Sequence, residues 1–153
     1  AQASPRVHVT AVDLEPVLAV TRRTAERLGV AQSFRFLHGD IREADLGAGY
    51  SVAILGHILH SEGASRSLAW LKRVFGALGR HHLIAIPEFL VNTERTGPPV
   101  GLIFAVNMLV HSEEGTTYSF EEIGSWLKSE GFKNIRTLDA PAPSPLILAD
   151  KPS

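Results

Sequence analysis

Val7-His8-Val9-Thr10-Ala11-Val12-Asp13-Leu14 is a near-continuous apolar run that delivers an acid at its end. Such a run reads as a strand buried on both faces of a parallel sheet. A helical pattern follows at once, over residues 16–28, and Gly29 closes it. Open α/β sheets bind ligands in the crevice outside the carboxyl ends of their strands, which is where Asp13 falls. In nucleotide-binding folds an acid there takes ribose hydroxyls, about 20 residues beyond a glycine-rich turn. Twelve residues precede Asp13 and none of them is glycine. The expectation is a chain that opens just past a cofactor loop, a fragment or a truncated gene product.

Outward from this stretch, strand-like and helical patterns alternate. Residues 33–38 alternate with Phe34 and Phe36 on one face, and Gly39-Asp40-Ile41 makes a turn at that strand's end. Residues 50–55 read as a third strand. Residues 61–78 read as a helix with Leu68, Leu71, Val74, Phe75 and Leu78 inward and Ser61 as its N-cap. A fourth strand covers 83–86. The polar stretch 91–99, with Gly97-Pro98-Pro99, is a candidate active-site loop before an apolar helix at 100–110. Ser119 caps a helix at 120–129 that Gly131 ends. Residues 134–138 and 146–149 read as a closing antiparallel pair with prolines between them. The pattern predicts one α/β domain over 1–153, a parallel sheet with covering helices and an antiparallel carboxyl-terminal edge.

Composition narrows the function. At 153 residues, with 44% hydrophobic and 20% charged positions, the chain can bury a core of its own. A net charge of −1 gives no footprint for nucleic acid or an anionic membrane. No apolar run reaches the roughly 18 residues of a membrane span, and no signal-peptide pattern opens the chain. Cytoplasm is the simplest compartment. With no cysteine, disulfides, thiolate metal sites and a cysteine nucleophile are excluded.

The candidate chemistry lies at strand ends. Asp13 reads equally as a helix-capping acid and as a ligand acid. Asp40 repeats its geometry after the next strand, so together they point to an adenosine-type ligand. One would accept from ribose hydroxyls, the other from an adenine amino group. His60, in Gly56-His57-Ile58-Leu59-His60-Ser61-Glu62, is a capping histidine or a general base at the crevice mouth. Glu88 follows the next strand, where a carboxylate near His60 would fix its tautomer and stabilise the imidazolium. Its other reading is a solvated loop acid. His57 and His60 have an i, i+3 spacing that suits a metal, but no third ligand has a motif spacing, so no metal is expected. His81-His82 reads as a surface turn, Trp70 and Trp126 as packing residues, and Met108 as core. Gly-x-Ser-x-Gly, the usual nucleophile elbow, is absent.

At these residues the chain resembles the carboxyl-terminal part of class I S-adenosylmethionine-dependent O-methyltransferases, of the plant phenolic and bacterial polyketide type. The matching stretches are Val9-Thr10-Ala11-Val12-Asp13-Leu14, Leu37-His38-Gly39-Asp40-Ile41, His57-Ile58-Leu59-His60-Ser61-Glu62, Glu94-Arg95-Thr96-Gly97-Pro98-Pro99, Asn107-Met108-Leu109 and Gly131-Phe132. They occur in the family's order, nearly end to end. The resemblance implies a Rossmann-like sheet without its first strand and glycine-rich loop. It makes Asp13 the ribose acid, Leu14 an adenosine contact, and Asp40 with Ile41 the adenine pair. His60 becomes the catalytic base, Glu88 the acid that orients it, and Asn107 and Met108 the lining of the acceptor pocket. The implied reaction is methyl transfer to a hydroxyl oxygen of a small aromatic or polyketide-like molecule. It needs no metal, because the sulfonium is already an activated electrophile.

The chain departs from the family at three places. The first strand, the glycine-rich motif and the amino-terminal helical dimerisation domain do not appear. Ser61 follows the base where plant members carry an acid, and Thr117 or its neighbours replace a second acid of those members. In the family's sheet a further strand lies between the strands ending at Asp13 and at Leu55, so two interior edges are expected to be left open. A homo-oligomer, or a partner segment upstream, would complete them. Two other readings stay open: a non-catalytic interaction domain, and an NAD-dependent dehydrogenase, since a ribose-binding acid suits that fold too.

Overall fold

A computed structural model describes residues 1–139 and 144–153. The chain divides into two compact units, residues 1–46 and 47–153. The first holds strand β1 (Val9–Asp13), helix α1 (Glu15–Arg27), a 3-10 turn (Ala31–Ser33) and strand β2 (Phe34–His38). The second holds β3 (Tyr50–Ile54), α2 (Leu59–Ala77), β4 (Leu78–Pro87), β5 (Leu90–Val91), α3 (Pro99–His111), β6 (Tyr118–Ser119), α4 (Phe120–Ser129), β7 (Lys133–Leu138) and β8 (Leu146–Asp150).

In the first unit β1 and β2 run parallel, with Val9 opposite Phe34 and Asp13 opposite His38. Two parallel strands need a crossover, and α1 provides it. Pro16 stands in its first turn, where a missing N–H costs nothing, and Leu18 and Ala25 are its buried positions. Phe34 and Phe36, two residues apart, stack on one face at 5.8 Å, and the Arg22 guanidinium lies 4.9 Å over the Phe36 ring. Arg22 also pairs with Glu15 one face along the helix.

In the second unit the main sheet has the order β3-β4-β8-β7. β3 and β4 are parallel, while β8 runs antiparallel to both β4 and β7. The closing pair is therefore the antiparallel edge that the sequence predicts, with β8 inside and β7 outermost. Ile84 and Ile86 of β4 and Ile147 and Ala149 of β8 are fully buried, whereas five of the six β7 residues are exposed. Each of the three isoleucines contributes roughly 1.5–3 kcal/mol when buried. α2 and α4 pack together, and Phe75 meets Phe132 edge-to-face at 4.9 Å. Lys151 donates to the carbonyls of Phe75 and Leu78, both at 2.6 Å, and closes the last turn of α2. The predicted prolines between β7 and β8 fall partly outside the described residues.

Each unit keeps an open sheet edge. Among the described strands β1 is hydrogen-bonded only to β2, and β3 only to β4. Two elements differ from the sequence reading. Ser61 does not cap α2: its hydroxyl donates to the Ile58 carbonyl at 2.8 Å, because the helix has already begun at Leu59. The His81-His82 pair lies within β4, where the register to β3 shifts and His81 adopts φ 59°.

Candidate active site

The strand β3 sets the first functional group. Its pairing continues past its end, with Leu55 N–H donating to Ala85 at 3.0 Å and His57 N–H to Pro87 at 3.1 Å. His57 then turns the chain with φ 51°. Residues 59–62 form a single turn, and Gly63, with φ 70° and ψ 164°, separates it from the rest of α2. His60 thus stands on its own turn, ahead of the long helix. A Cβ on Gly63 would lie 2.6 Å from Glu114 Oε2, so that acid occupies the space glycine leaves. Arg66 bridges to Glu62 and Glu114 on the same surface. The Thr116 N–H donates to the His60 carbonyl at 2.8 Å, tying the stretch after α3 to the same turn.

The strand β4 sets the second group. Glu88 follows its last residue, and its side chain is 0% exposed against 11% for His60. His60 Nδ1 lies 2.7 Å from Glu88 Oε1. The same oxygen accepts from the Phe89 N–H at 2.9 Å, and Oε2 from the His60 N–H at 3.4 Å. A carboxylate only accepts, so this pairing puts the imidazole proton on Nδ1 and leaves Nε2 as the acceptor of the ring. Burial strengthens the pairing, because the surrounding dielectric is low. His57 Nδ1 stands 3.8 Å from the same Oε1, and His57 Nε2 lies 3.2 Å from the buried hydroxyl of Ser144. Three aromatic contacts wall the group: Phe104 edge-on to His60 at 4.8 Å, Phe89 against His57 at 5.0 Å, and Phe89 against Phe104 at 4.5 Å.

In the first unit Asp13 and Asp40 stand at the same end of the two-stranded sheet. Gly39 N–H donates to the Asp13 carbonyl at 3.1 Å, which fixes the turn that carries Asp40. Asp13 Oδ1 accepts from the Leu14 N–H at 2.8 Å; the helix itself has no side-chain cap. Leu14 is exposed, and Ile41 is half-buried. Asp40 accepts from Arg42 through its backbone N–H, Nε and a guanidinium N–H. Those hydrogen bonds hold its carboxyl down at about 2.

Asn107 and Met108 lie on α3, one exposed and one half-buried. Their carbonyls bind the helix end: His111 Nδ1 lies 2.9 Å from Asn107 O, and Ser112 donates to Met108 O. The α3 residue that touches the histidine is Phe104, one turn earlier. Residues missed in the sequence are Phe104, Phe89, Ser144 and Glu114. The i, i+4 relation of Phe104 to Met108 was the available signal for the first.

The chain thus combines an α/β fold, acids at parallel strand ends and a buried histidine–carboxylate pair. The chain belongs to the O-methyltransferase family: the family model described as an O-methyltransferase domain matches residues 1–133. It is 28% identical over 151 residues to the tetracenomycin polyketide synthesis 8-O-methyl transferase TcmO of Streptomyces glaucescens, covering 99% of this chain and 44% of the relative. It is also 28% identical over 152 residues to the S-adenosyl-L-methionine-dependent methyl transferase PigF of a Serratia species, with the same coverage. Among solved structures, one described as an O-methyltransferase from Nostoc punctiforme aligns with a TM-score of 0.95 at 28% identity, over 99% of this chain and 46% of that one. The chain therefore spans less than half the length of the relatives it matches. No helix among the described residues is long and apolar enough to cross a membrane.

Proposed function

We propose that this chain carries the base and part of the cofactor surface of an O-methyltransferase acting on a small, aromatic or polyketide-like molecule. The observation that carries the reading is the buried His60–Glu88 contact of 2.7 Å, which turns Nε2 of His60 into a proton acceptor. S-adenosylmethionine supplies the methyl group from a sulfonium, already activated for attack by a hydroxyl oxygen. His60 takes the hydroxyl proton onto Nε2 as that oxygen becomes the nucleophile. Glu88 holds the ring in this tautomer and stabilises the imidazolium that results. Phe104 and Phe89 keep water from the histidine and offer an apolar wall to a planar acceptor. Asn107 and Met108 would line the acceptor pocket further along α3.

The residues of the first unit suit the adenosine half of the cofactor. Asp13 is exposed at a strand end with one oxygen on Leu14 N–H, which leaves the other for ribose hydroxyls. Leu14 and Ile41 are the apolar neighbours for the adenine face. An adenine amino group at Asp40 would share its carboxylate with Arg42. We read residues 1–153 as belonging to one methyltransferase domain, since the family match runs through both units. A homo-oligomer or an upstream segment would supply strands to the open edges of β1 and β3, and the cytoplasm is the proposed compartment.

Calorimetric titration with S-adenosylhomocysteine, beside NAD as a control, tests the reading. Micromolar binding of the former alone is expected, for the chain or for any longer protein that contains it. Binding of NAD in preference, or of neither ligand by the longer protein, would reject it.

A further inference from the structure

We propose that His57, His60 and Glu88 form a binding site for one divalent transition-metal ion of the zinc class, and that an ion there and base function at His60 exclude one another. The ligand set is two imidazoles and one carboxylate, which zinc takes with a fourth position left open. Among the described residues, His57, His60 and Glu88 each offer a ligand atom within 4.8 Å of the others. Glu88 Oε1 is 2.7 Å from His60 Nδ1 and 3.8 Å from His57 Nδ1. Zinc bonds of about 2.0–2.2 Å in tetrahedral geometry set ligand atoms roughly 3.3–3.6 Å apart, within side-chain adjustment of these separations. His57 and His60 stand at i, i+3, and the third ligand, which no spacing in the sequence could supply, comes from the end of β4, 28 residues past His60.

Three further features favour an ion. The outer nitrogen of His57 lies 3.2 Å from the buried Ser144 hydroxyl, so its ring is held by a second partner, as ligating histidines usually are. Glu88 is fully buried, and among the described residues its partners are histidine rings and backbone N–H groups, not lysine or arginine. A cation between the rings would balance that charge in a low-dielectric pocket. His57 is exposed, which opens a route from solvent.

The exclusion follows from the proton. In the base arrangement Nδ1 of His60 carries hydrogen and Nε2 carries the lone pair. A metal takes the Nδ1 lone pair, so a neutral ring must then carry its hydrogen on Nε2, and an imidazolium must first release a proton. With hydrogen on Nε2 the ring can no longer accept one. The catalytic consequence rests on the base reading above; ion binding and the tautomer change do not.

Zinc titration by calorimetry, with long-range 1H–15N spectra of the imidazoles, tests this on the whole chain. One ion per chain is expected, with the His60 signals moving from the Nδ1–H to the Nε2–H pattern. His57→Asn, at an exposed position, and Glu88→Gln should each weaken binding at least tenfold, while a His81→Asn, His82→Asn double variant should not change it. Absence of binding below millimolar zinc overturns the site, as does unchanged affinity in His57→Asn. Binding that leaves the His60 signals in place overturns the exclusion. Loss of methyl transfer in zinc-free protein would count against the base reading and leave the titration standing on its own.

Discussion

The two units hold their acids in opposite ways. Asp13 and Asp40 are served by neighbours one and two residues away, Leu14 N–H and Arg42, and the Asp40 side chain keeps about a third of its surface open to solvent (32%). Glu88 is sealed from solvent, and its ring partner comes from 28 residues earlier in the chain. A carboxylate of the first kind keeps its water and can exchange one partner for another, as a ligand contact requires. One of the second kind has surrendered its hydration and survives only while its partners stay in place. On the proposed reading the first is a surface for a ligand; the second is a fixed electrostatic element.

The sharpest way to break this contrast is to change the buried pair. His60→Gln should lower methyl transfer about 10²–10⁴-fold, as removal of a general base does. Glu88→Gln, whose amide no longer offers a carboxylate to Nδ1–H, should lower kcat strongly while leaving the affinity for S-adenosylhomocysteine near its original value. Asp13→Asn should do the reverse, weakening the cofactor and sparing kcat. Steady-state kinetics beside calorimetry separates the two patterns. Equal loss of kcat and affinity in both variants would erase the distinction drawn between the units.

The platform under His60 comes next. Gly63→Ala places a methyl at φ 70° against Glu114, so the turn that carries the histidine must shift. Strain and overpacking together should cost about 1–3 kcal/mol, read from denaturant midpoints. The double variant with Glu114→Ala should recover the overpacking part and leave the backbone part. Farther from the histidine, Ser119→Ala removes a capping box in which Ser119 and Glu122 satisfy each other's backbone N–H groups. That loss should be about 1 kcal/mol.

What the sequence could reveal divides along the same line. The carboxyl ends of the strands and the Ser119 cap depend on patterns a few residues long and lie within a residue or so of where the periodicity puts them, whereas α2 starts at Leu59 ahead of the expected Ser61 cap and β4 starts at Leu78, five residues before the predicted strand. The His60–Glu88 contact was legible because parallel neighbours bring their carboxyl ends together, and β3 and β4 are such neighbours. The break at Gly63 was not, since the side chain packed over it, Glu114, comes from beyond α3, and Ser61 looked like the better cap. Ser144 beside His57 joins positions 87 residues apart, which no spacing announces. Phe104 was hidden by its own helix: α3 is apolar all round, so hydropathy could not say which side faces the histidine. The inner place of β8 was half-visible, because β7 carries Lys133, Asn134, Arg136 and Thr137 and reads as an edge.

The smallest expected effect sharpens the comparison from its other side. Arg42 draws the Asp40 carboxyl from its ordinary 3.8 to about 2. In Arg42→Gln, carbon-detected titration of the Asp40 side chain should find it raised part of the way towards the ordinary value, because the backbone N–H at position 42 still donates to it. A carboxyl depressed in the folded state contributes stability above its unfolded pKa, and that contribution disappears as pH falls from about 4 towards 2. The variant should therefore lack part of that contribution at neutral pH, by a small amount because the half-buried group is screened by solvent, and should converge with the parent below about pH 2. If adenine shares the same carboxylate, S-adenosylhomocysteine should bind Arg42→Gln at least as tightly as the parent, because one competitor for Asp40 is gone. Weaker binding would mean that Arg42 presents the acid to the ligand, and Asp40 would then belong with Glu88 among the carboxylates that work through a fixed partner.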